Sequence, residues 1–246
     1  MKIAGIIPAR YNSSRFPGKP LAEIHGKPMI LHTLENVQTS KILDEIFVAT
    51  DDKRIMNVVN NAGGKCILTA KDLNSGTERC AAALKLMQKS FDAVINIQGD
   101  EPFIHPDHID SVAQLLKKNA DIATLAKVID CEKDINNPNI VKVIINQKKE
   151  ALYFSRFGIP YLQNSSSERS EIIIHYKHIG IYGYKAEVLK KLVHLPVSLL
   201  EQSESLEQLR WLDNGYRIIT DITDKESIGI DSPEDLKDLE KSIKQS

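Results

Sequence analysis

Short β-rich runs at Ile3–Ile7, Ile46–Thr50, Lys65–Leu68, Ala93–Ile97 and Ile122–Val128 alternate with stretches of helical spacing. Runs that are apolar on both sides suit parallel strands covered above and below, and parallel strands are joined through helical crossovers. The rhythm therefore predicts an α/β fold, an open and mostly parallel twisted sheet with helices on both faces. In such a sheet, ligands sit beyond the carboxyl ends of the strands. In the first crossover Ile30, Leu31, Leu34 and Val37 recur on one helical face, and Pro28 is expected at the first helical position.

After Asn136 the rhythm changes. Ile140–Ile145 and Ala151–Phe154 flank the polar stretch Asn146–Glu150, which predicts a hairpin, and Gln163–Glu171 is a Ser-rich loop. A strand is expected at His178–Tyr184. Ser198 and Glu201 have capping-box spacing, and Gly215 suits the end of the single helix they would open. Arg217–Asp221 is expected to return to the sheet, and Pro233–Ile243 to close the chain as a helix. The division this suggests is a core of residues 1–136 and 215–246 with a smaller β-rich insertion, 137–214.

The chain has 246 residues, and 32 Lys+Arg balance 33 Asp+Glu for a formal charge of -1, so no global basic field exists to attract nucleic acid. No apolar stretch approaches the roughly 18 residues of a membrane span, so no membrane insertion or leader peptide is expected. The three cysteines, Cys66, Cys80 and Cys131, form no C-x-x-C pair and are odd in number. They predict buried thiols in a reducing cytoplasm and argue against a disulfide framework or thiolate zinc.

The strongest local signal follows the first run, where Pro8-Ala9-Arg10-Tyr11-Asn12-Ser13-Ser14-Arg15-Phe16-Pro17-Gly18-Lys19 puts three cations among small hydroxyl residues. Arg offers a fixed fork to phosphate oxygens and Lys a point charge, so the loop predicts an anion cradle. It has neither G-x-G-x-x-G spacing nor a Walker A pattern, which excludes the usual dinucleotide and P-loop readings. A second signal, Gln98-Gly99-Asp100-Glu101-Pro102, places an acidic turn after a buried strand, at the same sheet edge. Mg²⁺ is commonly held by one or two carboxylates plus substrate phosphates. Asp100 and, in Gly229-Ile230-Asp231-Ser232-Pro233, Asp231 are the candidate ligands, although Asp231 equally suits a helix cap.

Ser75-Gly76-Thr77-Glu78-Arg79 opens another helix and suits a nucleotide or a plain cap. Along His178-Ile179-Gly180-Ile181-Tyr182-Gly183-Tyr184, the period of two puts His178, Gly180, Tyr182 and Tyr184 on one polar, aromatic face suited to a sugar. His105 and His108 have no third ligand nearby and are expected at the surface.

Together these motifs resemble the cytidylyltransferases that activate 3-deoxy-manno-octulosonate (Kdo), the CMP-Kdo synthetases. The resemblance runs in order through Ile6–Tyr11, Phe16–Leu21, Val48–Asp51, Gly76–Arg79, Gln98–Pro102, Ala151–Arg156, His178–Tyr184, Leu206–Arg210 and Gly229–Leu236. It implies a Rossmann-like nucleotidyltransferase fold, CTP and Kdo as substrates, Mg²⁺ as cofactor, CMP-Kdo for lipopolysaccharide biosynthesis as product, and a homodimer. By the same resemblance Pro8, Ala9, Arg10, Lys19, Ser75, Thr77, Arg79 and Gln98 would hold the nucleotide. Asp100 and Asp231 would bind the metal, acting with Lys19 and Arg10 in catalysis, and Arg15, Arg156, His178, Tyr182, Glu207 and Gln208 would surround the sugar acid. Lys148-Lys149 occupies a turn where the family often has Gly. The same machinery would serve another acidic sugar, such as amino-Kdo or a sialic-acid-like nonulosonate.

Overall fold

A computed structural model describes residues 1–12, 16–161, 174–230 and 232–244. Its central sheet contains β1 (Ile3–Ala9), β4 (Glu45–Thr50), β5 (Cys66–Leu68), β6 (Ala93–Asn96), β7 (Ile122–Val128), β10 (Tyr176–Lys185) and β11 (Ile218–Ile222), in the order β11-β7-β10-β6-β1-β4-β5. β1 pairs in parallel with β4 and β6, β4 with β5, and β7 with β11. The expected open, mostly parallel sheet is thus present.

Both faces are covered. On one, α1 (Met29–Gln38), α2 (Lys53–Asn61) and α4 (Pro106–Lys117) bury Ile30, Leu34, Ile55, Val59, Ile109 and Val112 against Ile3, Ile7 and Ile95. On the other, α3 (Gly76–Leu86), α6 (Ala186–Leu192) and α8 (Gln208–Asp213) bury Cys80, Leu84, Leu189, Leu209 and Trp211 against Ala4, Ile6 and Val94. Pro28 stands one place earlier than expected, as the N-cap of α1, because Lys27–Pro28 forms strand β3, paired with β2 (Glu23–Ile24) around a turn in which His25 and Gly26 both have positive φ.

The expected 137–214 unit is not separate in the sheet. β10 lies inside the central sheet, antiparallel to both β6 and β7, because it carries an aliphatic side (Ile179, Ile181) for one core layer and an aromatic side (Tyr182, Tyr184) for the other. Only the hairpin of β8 (Lys142–Ile145) and β9 (Ala151–Ser155) is peripheral, hydrogen-bonded to the first residues of β10. The reversed direction has a functional consequence: β10 begins at the edge where its parallel neighbours end, so its amino-terminal half faces the site.

Three further local differences stand out. Instead of one helix between Ser198 and Gly215, Ser205 adopts a left-handed conformation (φ 53) and ends α7 (Leu199–Glu204) before α8 begins. Arg210 then bridges the two, donating from Nε and a terminal nitrogen to Glu201, each at 2.6 Å. His108 is fully buried on α4, not at the surface, while His105 caps that helix by accepting from the Asp107 amide. Cys131 is exposed, unlike Cys80, and Cys66 is half-buried.

In the β8–β9 turn Lys149 sits at φ 62, its amide donating to the Asn146 carbonyl, in the left-handed region that favours glycine. Lys149→Gly is expected to raise stability by about 0.5–1 kcal/mol, the relieved backbone strain exceeding the loss of the exposed Lys149–Asp221 ion pair. Urea denaturation measures this, and an unchanged or lower midpoint counts against it.

Candidate active site

Four segments meet at the carboxyl edge of the sheet and enclose a cleft of about 210 Å³. β1 contributes Pro8, Ala9 and Arg10 at its end, and the short turn Lys19–Leu21 contributes Lys19. The start of α3 contributes Ser75, Gly76 and Arg79, and the turn after β6 contributes Gln98, Gly99 and Asp100. The sequence forces this convergence locally. Gly18, at φ 74, closes the first loop by donating from its amide to the Tyr11 carbonyl at 2.8 Å and so delivers Lys19 to the cleft. Gly99 passes so close to β1 that a Cβ there would lie 2.7 Å from the Pro8 carbonyl oxygen, and Thr33 of α1 donates to the Gly99 carbonyl.

Lys19 Nζ donates to Asp100 Oδ2 at 2.5 Å and to the Ile230 carbonyl at 2.9 Å. The ammonium thus sits on the carboxylate expected to hold a metal, within reach of a ligand in the cleft. Asp100 fits a hard cation by its chemistry: it is a carboxylate on the cleft wall that Lys19 engages through Oδ2, and an ion on its other oxygen would complete its shell with substrate phosphates and water. Among the described residues no group of three His, Cys, Asp or Glu side chains gathers to hold a metal alone. Asp231 and Arg15 lie outside the described residues.

Gln98 donates from Nε2 to the Gly180 carbonyl at 3.0 Å, tying the cleft to β10. Arg79 is almost wholly buried, donating to Thr69 Oγ1 at 2.6 Å and the Ala70 carbonyl at 3.1 Å, and burial pushes its guanidinium pKa down. Thr77 is not on the cleft wall. Its hydroxyl donates to Glu207 at 2.7 Å, and the Ser75 hydroxyl donates to the other Glu207 oxygen at 2.9 Å while capping α3. Glu207 is thereby joined to the nucleotide side of the cleft, and its burial raises its pKa.

Of the residues expected around the sugar, His178, Tyr182 and Glu207 form one neighbourhood. The His178 ring lies 5.1 Å from that of Tyr182, and Tyr182 feels the Glu207 charge. Ile179 pairs with Leu125 and Tyr182 with Thr124, so Gly180 and Ile181 are two extra residues in a bulge. Two extra residues preserve the alternation, and His178, Tyr182 and Tyr184 keep the common face expected of them. Thr124 Oγ1 spans the bulge, 2.8 Å from the Ile181 carbonyl and 3.0 Å from His178 Nε2. Gln208 is buried at the start of α8. Arg156, just past β9, is held away from the 210 Å³ cleft wall: its Nε donates to the Glu204 carbonyl, a terminal nitrogen to the Pro138 carbonyl, and its amide to the Glu204 carboxylate.

Burial pushes the His178 imidazole down to about 3 from its ordinary 6.5, so the ring is neutral near pH 7. A folded-state value below the unfolded one means that this contribution to stability is complete above pH 6.5 and is lost as pH falls toward 3. His178→Asn is expected to flatten the pH dependence of unfolding, narrowing the loss between pH 7 and 5 by about 1–2 kcal/mol. An unchanged acid limb in urea titrations contradicts this.

Sequence reasoning missed three residues here. Glu101 is buried beside Asp100, with a carboxyl pushed up to about 7 by burial, and it accepts a short hydrogen bond from Ser227. Lys142 is fully buried, donating to the Asn137, Ile140 and Arg156 carbonyls. Glu204 holds Arg156. Adjacency to Asp100 was the one available signal for Glu101; the other two depend on pairings remote in sequence.

The cytidylyltransferase family model matches residues 4–222. The chain is 50% identical over 243 residues to the 3-deoxy-manno-octulosonate cytidylyltransferase of Parabacteroides distasonis, covering 96% of each chain. It is also 50% identical to that of Thermodesulfovibrio yellowstonii over 246 residues, covering 97% of this chain and 96% of the relative. The chain belongs to the 3-deoxy-manno-octulosonate cytidylyltransferase family. A solved CMP:2-keto-3-deoxy-manno-octonic acid synthetase complexed with CTP, 40% identical, matches this cytidylyltransferase with a TM-score of 0.92 over 100% of this chain and 99% of the other. The resemblance drawn from the motifs and the Rossmann-like nucleotidyltransferase fold are both supported at full length.

Proposed function

We propose that this cytidylyltransferase activates Kdo with CTP, releasing pyrophosphate and giving CMP-Kdo for lipopolysaccharide assembly. The observation that carries the reading is the convergence of Arg10, Lys19 and Asp100 on one cleft at the carboxyl edge of a sheet that matches a CTP-complexed synthetase. The anomeric 2-hydroxyl oxygen of Kdo attacks the α-phosphorus. The bond from that phosphorus to the bridging oxygen of the β-phosphate breaks, pyrophosphate departs with the electron pair, and the hydroxyl proton passes to solvent. Such transfers depend on in-line positioning and charge neutralisation more than on covalent catalysis.

Arg10 and Lys19 receive the triphosphate, and the amides at the start of α3 add donors at a helix N-terminus capped by Ser75. Asp100, with Asp231, is proposed to hold Mg²⁺, which when bound supplies charge to the phosphates. Glu207 and the face of His178 and Tyr182 take the sugar hydroxyls, and Arg156 its carboxylate. A Kdo sample freshly labelled with heavy oxygen at the anomeric hydroxyl tests the bond made: the label belongs in CMP-Kdo, and its appearance in pyrophosphate overturns the assignment.

The enzyme is also proposed to be a cytoplasmic homodimer. No helix among the described residues is long and apolar enough to cross a membrane. Val143 and Phe154 of the hairpin are buried in the chain's own core, so they leave nothing for a partner to cover. Leu152, Phe157 and Tyr161, in contrast, are 57%, 75% and 80% exposed in and just beyond β9, apolar side chains that a two-fold interface would cover. Light scattering at low micromolar concentration should report about twice the 27.6 kDa chain mass. A fully active monomer overturns the dimer.

A further inference from the structure

After β11 the chain turns back across the carboxyl edge as a strap, residues 223–230, before reaching α9 (Pro233–Lys244). The strap is held at its start by the Thr223 amide on the Ala126 carbonyl and by Lys127 Nζ on the Asp224 carbonyl, both at 2.9 Å. Lys127 and Lys177 pair with the half-exposed Glu226 at 3.2 and 2.6 Å. Only the Glu226 end of these pairs is open to solvent, since both lysines are largely buried. At its far end the Ile230 amide donates to the Asp100 carbonyl at 2.9 Å, and the Ile230 carbonyl accepts from Lys19 Nζ at 2.9 Å. The strap therefore touches the Lys19 ammonium and the Asp100 main chain, two residues of the cleft, through one residue.

Between these ends, the Glu101 carboxylate accepts from the Ser227 hydroxyl. Glu101 is only 8% exposed, and among the described residues it makes no ion pair. Its one side-chain hydrogen bond among the described residues goes to the strap, so what this buried side chain holds in place is the strap. We infer that Glu101 is a positioning residue, which through Ser227 fixes the strap so that Ile230 holds Lys19 and Asp100 in register for the triphosphate. This rests on the function proposed above and assigns Glu101 no contact with substrate.

Four variants test it: Ser227→Ala, Glu101→Leu, Glu101→Gln and the Glu101→Leu/Ser227→Ala double variant. Each is measured for kcat, for KM of CTP and of Kdo, and by calorimetry for CTP binding without sugar. Small displacements of a positioned group cost up to about 10²-fold, so Ser227→Ala and Glu101→Leu should each lower kcat about tenfold and weaken CTP binding several-fold, with KM for Kdo unchanged. Glu101→Gln, which keeps an oxygen for Ser227, should recover most of the loss. The double variant should lose no more than the worse single, since both changes remove one contact. Parental kcat and CTP affinity in Ser227→Ala, equal impairment of the Gln and Leu variants, or multiplied losses in the double variant each overturn the inference. Should Glu101→Leu not fold, Ser227→Ala and Glu101→Gln still decide it. Inactivity of the parent enzyme with Kdo would overturn the proposed function alone, because CTP calorimetry reads the strap without sugar.

Discussion

Asp100→Asn will lower kcat by about 10²–10³ while leaving the fold intact, because a neutral amide of the same size removes the charge on which Lys19 and the proposed Mg²⁺ converge. The contact that ties this turn to the strap uses the Asp100 main-chain carbonyl and survives the substitution. The loss should therefore appear in turnover and in the Mg²⁺ concentration needed for half-maximal rate, with the thermal midpoint little changed. Near-parental kcat at about 1 mM Mg²⁺ would remove Asp100 from the metal role.

Arg156→Ala will raise KM for Kdo by about 10–100-fold and leave KM for CTP within about twofold, since a charge-assisted hydrogen bond is worth about 1.5–3 kcal/mol. Its guanidinium is already fixed by the Glu204 and Pro138 carbonyls, and its own carbonyl by buried Lys142, so little order remains to be imposed when an anion arrives. Its position off the 210 Å³ cleft is why the two substrates should separate. Equal losses for both would move Arg156 into the nucleotide site.

Much of this was legible in the sequence, for identifiable reasons. The strands at Ile3–Ala9, Ala93–Asn96 and Ile122–Val128 are apolar on both sides, a local pattern that needs no tertiary information. The cleft residues Arg10, Gln98 and Asp100 follow directly from strand ends, because such residues are delivered to one edge whatever the strand order, and Lys19 is returned to that edge by the turn at Gly18. Strand order itself was not legible. β10 pairs with residues from 48 to 92 positions upstream, and nothing in His178–Tyr184 states that its neighbours are β6 and β7 rather than the hairpin. For the same reason Thr77, expected on the nucleotide, turns its hydroxyl to Glu207, and Lys142, within an apolar run, is buried as a cap on three carbonyls. The break at Ser205 was hidden by Ser, a residue rarely left-handed, standing where Gly or Asn would signal a stop.

The most direct measurement is a pyrophosphate-release assay with the purified chain, CTP, Mg²⁺ and one acidic sugar at a time, the product identified by mass. The account predicts one pyrophosphate and one CMP-Kdo per Kdo consumed, with amino-Kdo and sialic-acid-like sugars at least about tenfold lower in kcat/KM. Release of pyrophosphate with another acidic sugar at a higher kcat/KM than with Kdo, or none with Kdo while CTP still binds, would contradict it.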